Sequence, residues 1–266
     1  MKENNKKLVA KKSTAKTTTA KKPKTSKELL LAVKRGEVRL EEVPKKLMTS
    51  NLCLAAVKHR SWALKFVPTK LMTEEICLTA VKQDISTLSH VPKKLMTSDF
   101  CLAAVKHCSS MLQFVPTKVM TEEICLTAVT NNGAMLEYVP KKLMTAKLCL
   151  IAVKRNGWAF TFVPEELITE LLCLTAVKQN GKFLKYVPEK FKTAKLCLAA
   201  VKQNGLALEC VPQKLRTIEL CLEATASDRN LNQIWKLDEP LDYVPKEIKA
   251  QIKAVVKKKL MMNKKN

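Results

Sequence analysis

Ten cysteines give this chain its most reactive side chains, because thiolates bind zinc and thiol pairs form disulfides. Eight of them stand 24 residues apart, from Cys53 to Cys221. Neighbours in such a ladder would lie about 8–10 Å apart, whereas the Cα atoms of a disulfide lie within about 7 Å. No pair has the CxxC spacing of a zinc or iron–sulfur site. We therefore expect small buried side chains in a reducing compartment, with Cys108 and Cys210 outside the ladder and more reactive.

Residues for catalysis are sparse. The three histidines, His59, His90 and His107, belong to different repeats. His59 and His107 share one repeat position but stand two units apart, too far to hold one metal ion. The chain has no GxSxG, P-loop or HExxH motif. We expect no enzymatic activity and no cofactor.

Lysines are concentrated at the two ends of the chain. The net charge is +24, of which residues 1–24 carry +8 and residues 249–266 carry +7, leaving +9 for the body. Basic tails of this kind bind phosphate in a salt-dependent and sequence-independent way. The alternative interpretations are a solubilising role and binding of nucleic acid or another anionic surface. The candidate polyanion contacts are Lys11, Lys12, Lys16, Lys21, Lys22, Lys24, Lys257, Lys258 and Lys259.

A second set of lysines recurs every 24 residues inside the body, each followed by a polar residue. We call these two positions the polar ladder; its candidate partner-binding residues are Lys58, His59, Lys82, Gln83, Lys106, His107, Asn131, Lys154, Arg155, Lys178, Gln179, Lys202 and Gln203. Mostly small residues, such as Ala55 and Thr79, lie beside them and would let an extended peptide approach. The polar side chains could then hydrogen-bond its backbone. A solvated helix face and a polyanion-binding face are the alternatives.

The elements that position these residues follow from the same period. Val-Pro, Cys-Leu and a threonine all recur at 24 residues, which indicates a stack of repeats. Within residues 67–90, Thr73 is a predicted helix cap, and apolar residues from Ile76 to Val81 cover about 200° of the helix. Later copies follow the helix with Asn-Gly, read as a C-terminal cap with φ > 0. Val67 should then end a shorter helical segment, with Pro68 opening the next turn.

The string from Ala200 to Leu208, AVKQNGLAL, resembles the core of a short bacterial tandem repeat, a domain family of unknown function whose units read roughly lAAVKqNGlALxyas. The similarity spans about residues 25–222. Val-Pro replaces the small residues usual in that family, and the repeats near His59, Asp84 and Cys108 lack the Asn-Gly. The resemblance implies an all-helical array and brings neither a catalytic residue nor a ligand.

These patterns predict an all-α fold, a right-handed α-solenoid of about eight to nine 24-residue repeats. We expect a disordered basic tail at 1–24, repeats at 25–235, and a C-terminal cap helix with a basic tail at 236–266. There is no apolar run of 18 residues and no apolar N-terminal signal, so we expect a cytoplasmic protein without a membrane span. The predicted function is a monomeric scaffold for a protein or peptide partner, with non-specific nucleic-acid binding as the alternative.

Overall fold

A computed structural model describes residues 25–227, and this part of the chain is an all-α solenoid. Its nine α helices are α1 (Ser26–Lys34), α2 (Ser50–His59), α3 (Glu74–Gln83), α4 (Ser98–His107), α5 (Glu122–Asn131), α6 (Ala146–Arg155), α7 (Glu170–Gln179), α8 (Ala194–Gln203) and α9 (Ile218–Ser227). The predicted helical stack is confirmed for these residues, while its handedness stays a prediction. The predicted tail at 1–24 and cap segment at 236–266 lie outside the described residues.

Every α helix begins after a threonine, as the 24-residue threonine period predicts. The Thr73 hydroxyl accepts a hydrogen bond from the Ile76 N–H at 3.3 Å, and the same bond recurs in the other units, from Thr25 to Thr217. Such a cap satisfies one of the N–H groups that a helix leaves unpaired at its start, and it contributes about 1 kcal/mol. Because the cap fixes where each helix begins, it also fixes the register of the side chains along the stack.

From α2 to α8, the segment after each α helix is a six-residue 3₁₀ helix, whereas α1 is followed by the three-residue turn Leu40–Glu42. These helices are Ser61–Phe66, Ile85–His90, Ser109–Phe114, Gly133–Tyr138, Gly157–Phe162, Gly181–Tyr186 and Gly205–Cys210. Val67 ends the first of them with φ −70° and ψ 124°, as expected for a residue before proline. Pro68 precedes the three-residue turn Thr69–Leu71 rather than occupying its first position.

The glycines of the Asn-Gly pairs do not have positive φ, so the predicted C-terminal cap is wrong. Asn180 is extended, with φ −152° and ψ 114°, and its side chain accepts a hydrogen bond from the Lys182 N–H at 3.0 Å. Gly181 then starts the 3₁₀ helix, and a Cβ atom there would overlap the carbonyl oxygen of Ala200 in the next repeat. Glycine is needed here for close packing between repeats. Gly36 alone among the described glycines has positive φ, at 75°.

The helices form two layers around one continuous core. Each α helix packs on the α helices before and after it, and most six-residue 3₁₀ helices also pack on the α helix of the following unit. The core rows are formed by repeats of Leu52, Cys53, Ala56 and Val57 on the α helices and by Leu64 on the 3₁₀ helices. No described helix is long and apolar enough to span a bilayer.

The unit of α3 is packed less completely than the others. Ile85 occupies the position that glycine holds in the later repeats, and Ile85–His90 touches α4 only weakly. Thr87 is the single buried polar side chain among the described residues, and its hydroxyl donates to the Asp84 carbonyl at 2.7 Å. Leu88 is only half-buried, whereas its equivalent Leu112 is fully buried. This junction therefore buries less apolar surface than its neighbours.

Candidate functional site

The stacking of the α helices turns each repeat position into a row along the surface. The lysines of the polar ladder lie in the last turn of their helices and are exposed: Lys34, Lys58, Lys82, Lys106, Lys154, Lys178 and Lys202. Lys106 forms an exposed ion pair with Glu123 of the next helix, with 3.8 Å between Nζ and Oε1. In the part of the chain that the structure describes, the other lysines of this row make no ion pair. Their charge therefore remains available to a partner.

The polar residues that follow these lysines form hydrogen bonds to the preceding repeat. The Gln83 side-chain amide donates to the Lys58 carbonyl at 3.1 Å, and His107 Nε2 lies 2.8 Å from the Lys82 carbonyl. Both bonds run from one repeat to the end of the preceding helix, where carbonyl groups lack an intrahelical partner. These side chains therefore join neighbouring repeats.

The same contacts recur further along the array. Gln179 donates to the Lys154 carbonyl at 3.0 Å and to the Val153 carbonyl at 2.6 Å. Gln203 donates to the Gln179 carbonyl at 3.1 Å and accepts a short hydrogen bond from the Gly181 N–H. These glutamines were predicted to hydrogen-bond the backbone of a bound peptide. That use competes with the hydrogen bonds that they already form between repeats.

Three further members of the predicted set behave differently. The His59 ring lies against Gly36, close enough that a Cβ atom on the glycine would meet Nε2 at 2.5 Å. Asn131 and Arg155 are exposed at the ends of α5 and α6. The structure therefore brings the whole predicted set to one edge of the array, where the lysines face outward and several of their neighbours bind the preceding repeat.

Beside the lysines, the α helices present a row of leucines and a row of small residues. The leucine row runs at 24-residue intervals from Leu30 to Leu222 and is partly exposed. Its most open members are Leu126 and Leu198, at 42% and 36%. Between α1 and α2 a groove of about 450 Å³ is lined by Leu30, Lys34, Leu54, Ala55 and Lys58. A second groove of about 300 Å³, between α5 and α6, is lined by Leu126, Lys147 and the acidic Glu122 and Glu123 near the helix starts. The rows of leucines, small residues and polar-ladder lysines form what we call the leucine–lysine face, which offers apolar contact beside positive charge.

The cysteine ladder is part of the core, as the sequence predicts. All eight ladder cysteines are buried, Cys108 is exposed and Cys210 is half-buried. Burial raises the pKa of the Cys125 thiol to about 11, because the thiolate would lose its hydration there. Among the described residues, no cluster of three histidine, cysteine or acidic side chains could hold a metal ion. The ladder therefore has a packing role.

A row of exposed aromatic rings was missed by the sequence analysis. Phe114, Tyr138, Phe162 and Tyr186 end successive 3₁₀ helices and are 46%, 37%, 36% and 39% exposed. Aromatic residues are only 5% of the chain, and this low proportion concealed their 24-residue spacing. Their recurrence every 24 residues was the signal that could have revealed this row. The predicted polyanion contacts, Lys11 to Lys24 and Lys257 to Lys259, lie outside the described residues.

Comparison with known proteins identifies a family for the repeats. A family model described as a domain of unknown function (DUF4116) matches residues 49–96, 97–144, 121–168, 147–192 and 169–216. Each match covers about two of the 24-residue units, so the family module corresponds to a pair of neighbouring repeats. No curated protein and no solved structure matches the chain.

Proposed function

Because this chain belongs to the DUF4116 family, whose description states no activity, its function has to be inferred from its surfaces, and we propose that it is a non-enzymatic scaffold that binds another protein. The observation that supports the proposal is the leucine–lysine face. Each repeat adds one leucine and, in most units, one small residue and one exposed lysine to a continuous strip. Such a strip suits a partner segment with apolar side chains on one side and carboxylates beside them.

The chemistry of the face defines the partner further. Partly exposed leucines gain free energy when a partner covers them, at about 25 cal/mol per Å² of apolar area. Lysines without an ion pair favour an acidic partner, both in the speed of association and in its orientation. The small residues Ala55, Thr79 and Ala103 allow the partner backbone to come close. We therefore propose an acidic amphipathic segment as the ligand of this face.

A labelled 20-residue amphipathic peptide of leucine and glutamate provides the probe. Fluorescence anisotropy with the full chain at 0.15 M salt should show saturable binding. The double variant Lys58→Glu/Lys82→Glu should weaken binding about tenfold or more, because it places like charges against the glutamates. The matched control Lys70→Glu/Lys94→Glu makes the same charge change in the turns that precede α3 and α4, near the opposite end of the helices.

The two variants separate local recognition from general attraction. Equal weakening by both would mean that the net charge of +24 attracts the peptide without a defined site. Binding that neither variant affects would show that the leucine–lysine face is not the site. Circular dichroism of each variant checks that the helical fold is retained.

A further inference from the structure

The exposed aromatic rings lie on the other edge of the array, beside the turns that lead into each α helix. We call the ten residues from one ring to the second residue of the next α helix a rung. The four central rungs are residues 114–123, 138–147, 162–171 and 186–195, and they contain Phe114, Tyr138, Phe162 and Tyr186. A ten-residue α helix is about 15 Å long, so its length separates these turns from the helix ends that carry the polar ladder.

The charges of these rungs alternate in sign. The four rungs carry net charges of −1, +3, −3 and +2 in chain order. The largest contrast is between Lys141, Lys142 and Lys147 in one rung and the three acids in the next. Those acids are Glu165, Glu166 and Glu170, and the six side chains are all exposed. No ion pair joins these two rungs in the part of the chain that the structure describes.

An alternating edge does not suit a polyanion, because every second rung would repel phosphate. It does suit a surface with the same alternation running in the opposite direction. A second copy of this chain provides that surface when a twofold axis passes between the +3 and −3 rungs, since a twofold interface brings each patch against its symmetry mate.

The structure points to an antiparallel homodimer through these rungs, and this is our further inference. With the axis between α6 and α7, rung 138–147 of one copy meets rung 162–171 of the other, and rung 114–123 meets rung 186–195. Both kinds of contact pair a positive rung with a negative one. This interface uses other residues than the leucine–lysine face, which it meets at the Lys106–Glu123 ion pair. The inference replaces the expectation of a monomer.

The aromatic rings fit the same axis. Tyr138 would lie against Phe162 of the second copy, and Phe114 against its Tyr186, so all four exposed rings become covered together. Aromatic side chains are enriched at the centres of protein interfaces, where they bury large areas and stack at an offset or edge to face. Moving the axis by one rung would bring Phe162 against His90 in one direction and Tyr138 against Cys210 in the other, so the ring pairing would be lost.

Sedimentation of the full chain at 0.15 M salt tests the inference, because salt at this concentration limits the Debye length to about 8 Å and screens the net charge of +24. The wild type should form a dimer at micromolar concentration. Lys141→Glu/Lys142→Glu and Glu165→Lys/Glu166→Lys should each raise the dissociation constant about a hundredfold, since each brings like charges together twice. The matched control Lys58→Glu/Lys82→Glu should leave it unchanged.

A mixture of the two charge-reversed variants is the decisive experiment. In a mixed pair, the new glutamates of one chain face the new lysines of the other, and the second contact keeps its native charges. The mixture should therefore form a heterodimer with an affinity close to that of the wild type. A wild-type chain that stays monomeric at 50 µM would overturn the inference, even if the rungs bind another macromolecule. A mixture that stays monomeric while the wild type dimerises would also overturn it.

Discussion

Replacing Gly181 with alanine tests the packing between repeats most directly. The added Cβ would overlap the Ala200 carbonyl oxygen and lie 3.0 Å from Asn204 Cβ. The carbonyl belongs to the backbone of α8 and cannot rotate away, so the two repeats must separate. Overpacking of this kind costs about 1–3 kcal/mol. Alanine also reduces the conformational entropy of the unfolded chain, which offsets about 0.4–1 kcal/mol of this loss of unfolding free energy.

The expected net loss is about 1–2 kcal/mol of unfolding free energy for Gly181→Ala. In a chain of this size it lowers the melting temperature by about 2–8 °C, measured by circular dichroism on the full chain. Gly157→Ala is the matched control, because a Cβ there meets side-chain atoms of Phe183 and Gln179 rather than a backbone carbonyl, and side chains can adjust at a lower cost. We expect this variant to melt below the wild type but clearly above Gly181→Ala.

The comparison separates two reasons for a glycine at this repeat position. If glycine were needed for its backbone conformation, the two substitutions would cost the same. If close packing is the reason, Gly181→Ala is the more harmful by a clear margin. A Gly181→Ala variant that melts at or above the wild-type temperature would refute the packing argument.

Two further outcomes are expected. In native thiol labelling, exposed Cys108 should react first and half-buried Cys210 second, while rapid and uniform labelling of the eight ladder cysteines would contradict their burial. Stability should fall as the pH rises from 9 towards 11, because an unfolded thiol ionises near 9 whereas burial raises the pKa of Cys125 to about 11. Cys125→Ala should therefore lose about 1 kcal/mol less unfolding free energy than the wild type between pH 8 and pH 10, as measured by urea unfolding.

The sequence predicted the elements whose signals are local. A threonine hydroxyl three residues before a backbone N–H is enough to place a helix start, and Thr73 does so. The residue before a proline is restricted by its own neighbour, so Val67 ends its helical segment as expected. The broad apolar arc of α3 likewise required burial on several sides, and Ile76 and Cys77 are buried.

Contacts between repeats were less accessible to sequence reasoning. Asn180-Gly181 looks like a helix cap by composition, but the position of Ala200 in the next repeat decides what the glycine does. Gln83 looks like a free polar residue until the preceding helix places its last carbonyls beside it. The 24-residue period indicates that each repeat has neighbouring repeats to contact. The distance and direction of each contact, however, depend on how the repeats stack.

The incomplete packing at Thr87 and Leu88 has a mechanical consequence. A repeat array transmits tension from unit to unit, and the junction with the least buried apolar surface yields first. A single molecule stretched from both ends should therefore part between α3 and α4, leaving the later repeats intact as a separate block. Substituting Ile85 with glycine and Thr87 with methionine would copy the better-packed units and move the rupture elsewhere. The mechanically weakest junction of the array is thus determined by Ile85, Thr87 and Leu88.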